Sequence, residues 1–348
     1  MSRLSRDFLE RMPKVELHVH LEGAVPRPAL DELARKYGRP PFSSLLDGDL
    51  PHMKAARECR PSFTDFVDVW LKIGGLLREY EDYAFIARAV SAEFKRRNIL
   101  YAEVLFSPAR DSTGHLQPER ITEAVAAGFA EGPATALVSD FKTRASAAER
   151  DPRKIAGGST SVRLVADLVR DNGPREAGRT LDALLAMNHR AIAGIGIGGS
   201  EAPFPPGPFA PVFEKARAAG LRTQAHAGES AGPESVWGAI RILRVDRIAH
   251  GVRAREDAGL MIHLREMGIP LDVCPTSNVR TGAVKNMADH PAADFLRRGI
   301  KISLSTDDPT LFGTDLAGEF DSLVRTFGLS KDEVRRLLLN GVDAAWCG

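Results

Sequence analysis

Two histidines one residue apart, His18 and His20 in VELHVHLEG (15–23), interrupt a run that otherwise reads as a buried strand. Successive side chains on a strand point to opposite faces, so Glu16, His18 and His20 share one face and Val15, Leu17, Val19 and Leu21 the other. The two imidazoles converge on one point, as a metal site requires, although ordinary cores also hold alternating histidines. Groups of the same chemistry end other apolar runs: His226 and Glu229 in LRTQAHAGE (221–229), His250 in DRIAHG (246–251), and Asp307 and Asp308 in KISLSTDD (301–308).

Three imidazoles and one carboxylate, from His18, His20, His226 and Asp307, suit a borderline-soft divalent ion, and zinc better than magnesium, which prefers oxygen ligands. One zinc ion per chain is the expected cofactor. A catalytic zinc keeps a position for water and lowers its pKa from about 15.7 to about 7, so the expected chemistry is hydrolysis. Proton management then falls to groups that are not ligands. Glu229 stands three residues past His226, His250 enters from the next run and could take a proton from the metal-bound water, and Asp308 follows Asp307. Each also has a plain structural reading, as a helix cap, a buried hydrogen-bonded histidine or turn chemistry before Pro309. The other histidines, His52, His115, His189, His263 and His290, fall in helix-like or loop stretches and read as solvated or helix-terminal, without a function.

The elements that must position these groups repeat. Eight apolar runs, at 14–21, 99–108, 161–169, 192–201, 221–229, 246–251, 269–278 and 301–308, each end in a polar or glycine-rich tip. Between them, stretches such as 81–97, 173–190 and 331–346 place apolar residues at three- and four-residue spacings, as amphipathic helices do, with Ser330 as an N-cap. Eight strands alternating with helices predict an α/β protein, a (β/α)8 TIM barrel with its active site at the C-terminal strand ends. The whole chain, 1–348, reads as one barrel domain. Residues 22–98 contain a long helical, lid-like excursion after the first strand, and APFPPGPFAP (202–211) reads as a stiff loop near the same mouth.

Composition narrows the partners. Lys plus Arg (47) nearly cancel Asp plus Glu (46) for a net charge of +1, and 43% of residues are hydrophobic against 27% charged. That is an ordinary globule without the field that attracts nucleic acid. The charged N-terminal stretch and the short apolar runs predict neither signal peptide nor membrane span. Three scattered cysteines, Cys59, Cys274 and Cys347, predict no disulfide framework and a cytoplasmic location. Monomer and homo-oligomer stay open.

The motifs KVELHVHLEG, YAEVLFSP, HAGES, RIAHG, CPTSN and LSTDDP resemble, in order and spacing, the adenosine deaminase family of metal-dependent amidohydrolases, from Pro13 to Trp346. The resemblance implies hydrolytic deamination of a 6-aminopurine without an organic cofactor. By position, Glu229 would protonate ring N1, His250 would steer the hydroxide, Asp308 would bond N7, and the Gly199 amide would meet N3. Two positions depart from the animal adenosine deaminases. Glu22 stands where those have an aspartate linked to the ribose hydroxyl, and Gly196 stands where an aspartate is usual. YAEVLFSP favours the nucleoside side, so the first expectation is adenosine or 2'-deoxyadenosine, to inosine or 2'-deoxyinosine and ammonia. Adenine or aminodeoxyfutalosine is the alternative substrate, and a non-catalytic metal-binding barrel is a distant third reading.

Overall fold

The computed structural model describes residues 4–42, 70, 72–108, 115–131 and 160–347. Eight strands alternate with helices: β1 (Lys14–His20), β2 (Ile99–Phe106), β3 (Ser161–Asp167), β4 (Ile192–Gly196), β5 (Arg222–Ala227), β6 (Arg247–His250), β7 (Leu271–Val273) and β8 (Ile302–Leu304). They form one parallel sheet in sequence order. The ring closes where Val19 bridges Asp307: the His20 N–H donates to the Asp307 carbonyl at 2.8 Å, and the Asp307 N–H to the His18 carbonyl at 3.1 Å. Ser305 Oγ also accepts from the Leu17 and His18 amides. This is the predicted (β/α)8 TIM barrel.

Strands covered by helices outside and side chains inside have no face for water, so they read as unbroken apolar runs. Every residue of β1, β2 and β4 is accordingly buried. Each fully buried valine or leucine, such as Leu17 and Val19, contributes about 1.5–3 kcal/mol against leaving it in water. The outer helices obey the spacing read from the sequence. Tyr80–Arg96 buries Tyr83, Ile86, Ala87, Val90 and Phe94, and Gly173–Met187 buries Ala177, Leu181 and Leu184. Lys331–Ala344 starts at a reciprocal cap in which Ser330 Oγ accepts from the Glu333 N–H and the Glu333 carboxylate from the Ser330 N–H.

Three expectations change. β7 stops at Val273, because Pro275 opens a helix, Pro275–Arg280, that takes the rest of the CPTSN motif with it. β8 stops at Leu304, because Asp307 turns the chain with a φ of 64° and Asp308 precedes the short helix Pro309–Phe312. The proline-rich stretch is not all loop: it passes through a 3-10 turn, Gly207–Phe209, into the helix Ala210–Ala218. The middle of the excursion after β1, residues 43–69, lies outside the described residues, as do 145–159 of the polar connection before β3. On its described flanks are the helices Leu21–Ala24 and Arg27–Lys36.

The N-terminal half of the barrel is plugged by a buried ion cluster. Arg247, fully buried, pairs with Glu103 at 2.5 Å and with Asp272, and donates to Gln224 Oε1 at 2.8 Å. It also bonds the Leu17 and Ala344 carbonyls, and its guanidinium lies 4.1 Å from the centre of the Trp346 ring. Among the described residues, no helix is long and apolar enough to cross a membrane.

Candidate active site

The opposite end of the barrel gathers the reactive groups. Between Glu16 and Val19 the pairing of β1 with β2 slips by a residue, a bulge that re-aims the side chains beyond it. His18 Nε2 and His20 Nε2 both come to 3.3 Å from Asp307 Oδ1. The His226 ring, from the end of β5, lies 4.7 Å from that of His18 and 5.3 Å from that of His20. All four residues are buried, and His18 Nε2, His20 Nδ1, His226 Nε2 and Asp307 Oδ1 have no hydrogen-bond partner. Buried polar atoms without partners are costly unless a ligand completes them. The edge of a tetrahedron with bonds of about 2.0 Å is about 3.3 Å, which is the observed nitrogen-to-oxygen spacing, so His18, His20 and Asp307 fit a zinc-sized cation.

Charge points the same way. Burial pushes His18 down to about 4 and His226 well below its ordinary value. For His20 burial is outweighed by Asp308, Asp307 and Asp167, which hold its pKa up at about 10. Burial also raises Glu229 and Asp308 well above the carboxylate range, each reinforced by Asp307. Asp307 itself is drawn well below it, because His18, His20 and His250 close around it and outweigh its burial. Asp307 thus opposes further negative charge on Glu229 and Asp308, and a divalent cation beside it would relieve that repulsion.

The proton-handling candidates join this cluster. His250, fully buried at the end of β6, places Nε2 at 3.4 Å from Glu229 Oε2, 3.3 Å from His226 Nδ1 and 4.0 Å from Asp307 Oδ2. His250 and Asp307 both sit at a φ of 64°. Left-handed backbone at a residue other than glycine costs about 1–3 kcal/mol and concentrates at functional sites. Glu229 also lines an open cleft of about 450 Å³ with Ser230, Arg253 and Thr281. Asp308 is buried with Oδ1 unpartnered, and a Cβ on Gly23 would fall 1.7 Å from that atom, so only glycine fits at the end of HLEG. Glu22 is buried too: its Oε1 accepts from the Ser107 N–H at 3.3 Å, while its Oε2 and Ser107 Oγ are unpartnered. Gly199 lies in the turn after β4 at a φ of +99°, where the amides on either side are taken by Asp167 and Asp171. No contact ties Gly199 to the histidine cluster.

Several residues at the site escaped the sequence reading. Glu201 accepts from the amides of Gly228, Glu229 and Ser230 and from Ser235 Oγ, and so fixes the turn that carries Glu229. Arg170, fully buried, donates to the His226 carbonyl at 2.7 Å. Ser277 Oγ donates to Asp307 Oδ2 at 2.6 Å, and Cys274 Sγ lies 3.6 Å from His18 Nδ1. Asp167 pairs in register with Gly196 and acts on His20, so β3 supplies a carboxylate beside the position where the resemblance led one to expect aspartate. His290 is helix-terminal, one of the two roles read for it, and corrects the other. It is not solvated: it is 3% exposed, bonded to Asn278, and accepts the Ala292 N–H at the start of the helix Ala292–Arg297.

Comparison with known proteins agrees with this architecture. The family described as adenosine deaminase matches residues 13–348. An adenine deaminase of Bordetella parapertussis is 35% identical over 98% of this chain and 99% of its own length. An aminodeoxyfutalosine deaminase of Streptomyces avermitilis is 33% identical over 97% of this chain and 88% of its own. Among solved structures, the adenine deaminase of Arthrobacter aurescens superposes with a TM-score of 0.80 at 29% identity, covering 97% of this chain and 94% of that one. An amidohydrolase of Burkholderia ambifaria with bound zinc superposes with a TM-score of 0.82 at 28% identity, covering 100% and 90%. The chain thus belongs to the adenosine deaminase family and is a hydrolytic deaminase of the metal-dependent amidohydrolase type.

Proposed function

We propose that the protein hydrolyses the exocyclic amine of a 6-aminopurine, with adenine as its first substrate and aminodeoxyfutalosine as the second. The observation that carries this is the convergence of buried His18, His20 and Asp307 within ligand spacing of one another, with the His226 ring 4.7 Å from that of His18 and Glu229 grouped with Asp307. His18, His20, His226 and Asp307 would hold one zinc ion, which when bound lowers the pKa of a water and supplies the nucleophile. The protein's own groups prepare the purine. A proton from Glu229 at ring N1 withdraws electron density from C6, where water adds and ammonia leaves. His250 orients the water, Asp308 meets N7, and the Gly199 amide meets N3. These contacts strengthen as C6 becomes tetrahedral, which is where binding accelerates the reaction.

The sequence reading put adenosine first, and the relatives favour the alternative. Glu22 fits either reading. Its buried, unpartnered Oε2 needs a ligand N–H or O–H, which a ring N–H of free adenine or a hydroxyl of a larger N9 substituent would supply. Cysteine usage supports a cytoplasmic location. A panel of adenine, aminodeoxyfutalosine and adenosine with zinc-loaded protein tests the proposal: adenine should give hypoxanthine and ammonia fastest. Turnover of none of the three at high enzyme concentration would remove the purine reading.

A further inference from the structure

We propose that Asn278 and His290 are positioning residues that, through an unbroken chain of hydrogen bonds from a backbone amide, lock His250 in the tautomer presenting Nε2–H to the site. What that site catalyses rests on the function proposed above, but the tautomer does not.

The chain starts at a group whose role is beyond choice. A backbone N–H can only donate, and that of Ala292 donates to His290 Nδ1 at 3.2 Å. His290 Nδ1 therefore carries a lone pair, and a neutral His290 carries its proton on Nε2. Burial keeps the ring neutral, with its pKa pushed down to about 3. His290 Nε2–H faces Asn278 Oδ1 at 3.2 Å, so the Asn278 oxygen is the acceptor and its nitrogen is left to point the other way. That nitrogen donates to His250 Nδ1 at 3.0 Å. His250 Nδ1 is thereby an acceptor, and the ring proton sits on Nε2. Asn278 and His250 are fully buried and His290 is 3% exposed, so water does not compete for these bonds.

Two consequences follow at the site. The cluster offers overlapping donor sets, His18 with His20 and Asp307, and His18 with His226 and His250. A neutral His250 with a proton on Nε2 has no lone pair aimed at the cation, so the set that includes it is excluded. The same proton makes His250 a hydrogen-bond donor to the attacking water and not the acceptor of its proton. Glu229, 3.4 Å from His250 Nε2, is then the group that takes that proton and passes it to ring N1. Of the two roles the sequence suggests for His250, taking that proton and orienting the hydroxide, the proposal keeps the second.

The test is nitrogen-15 NMR of histidine-labelled, zinc-loaded full-length protein, with the His250 signals assigned by their loss in His250→Asn. The expected result is a protonated Nε2 and an unprotonated Nδ1 on His250. A His250 protonated on Nδ1 overturns the proposal. Asn278→Asp keeps the shape but can only accept, so it should reverse the tautomer and lower kcat by about two orders of magnitude or more, with zinc content kept and KM changed less. A folded Asn278→Asp protein with the wild-type kcat or tautomer also overturns it. His290→Gln retains an acceptor for Ala292 and a donor for Asn278 and should keep most activity, whereas His290→Phe should behave like Asn278→Asp. If a variant fails to fold, the wild-type spectrum decides. If the wild type turns over no purine, the proposed function fails while the spectrum still tests the tautomer.

Discussion

Glu201→Gln isolates the support of the catalytic turn. The Glu201 carboxylate accepts the Gly228 N–H at 2.8 Å and Ser235 Oγ at 2.5 Å on one oxygen, and the Glu229 and Ser230 amides at 2.9 and 2.8 Å on the other. Glutamine has the same shape but one acceptor. With its oxygen toward Glu229 and Ser230, its NH2 faces the Gly228 N–H, donor against donor, while the Ser235 hydroxyl can turn round and accept. Leaving the Gly228 amide buried without a partner costs about 1–3 kcal/mol, and two bonds losing their charge assistance cost about 1 kcal/mol each. The sum is about 3–5 kcal/mol. At about 2 °C per kcal/mol for a chain of this size, Tm should fall by roughly 6–10 °C. If as little as about 1.4 kcal/mol of the loss appears as misalignment of Glu229, kcat falls tenfold, with a smaller change in KM. Thermal melts by circular dichroism and steady-state kinetics on the best substrate of the panel measure both. A Tm within about 1 °C of wild type together with unchanged kcat would refute the assignment of Glu201 as the clasp of this turn.

Glu229→Gln should retain zinc and lose at least about two orders of magnitude in kcat, checked by elemental analysis and initial rates; an active variant would contradict the proton-transfer role. Asp307→Ala should bind less than one zinc per chain, and chelation of the wild type should lower its Tm, since an ion bound only by the folded state stabilises it by mass action. A third test concerns pH. Burial raises Glu319 to about 7 from an ordinary 4.5, so the folded chain binds more protons than the unfolded one between those values. This group's contribution to stability is whole below about 4.5 and lost as pH rises through about 7, by at most about 3 kcal/mol. Glu319→Gln should therefore gain in Tm relative to wild type at pH 8 and show less of that gain at pH 5.

The barrel was legible because apolar runs ending in polar tips recur eight times, and the donors because an unmasked period of two put His18 and His20 on one face. Strand ends were less legible. β7 and β8 end where Pro275 and the left-handed Asp307 break the ladder, and a window of apolar residues is blind to backbone turns. The supporting residues were the least legible of all. Glu201 serves four donors brought together by folding, and His290 reaches His250 only through Asn278, so neither has a spacing that announces it. Burial was the missing signal: a histidine after a short 3-10 turn looks solvated until the helix Ala292–Arg297 covers it.

Among the described residues, the ion cluster around Arg247 fills the end of the barrel away from the histidines. A charged stopper held by Glu103 and Asp272, with the Trp346 indole against it, turns the reactive groups toward the strand tips, so arrival and departure at that end belong to the architecture as much as to the chemistry.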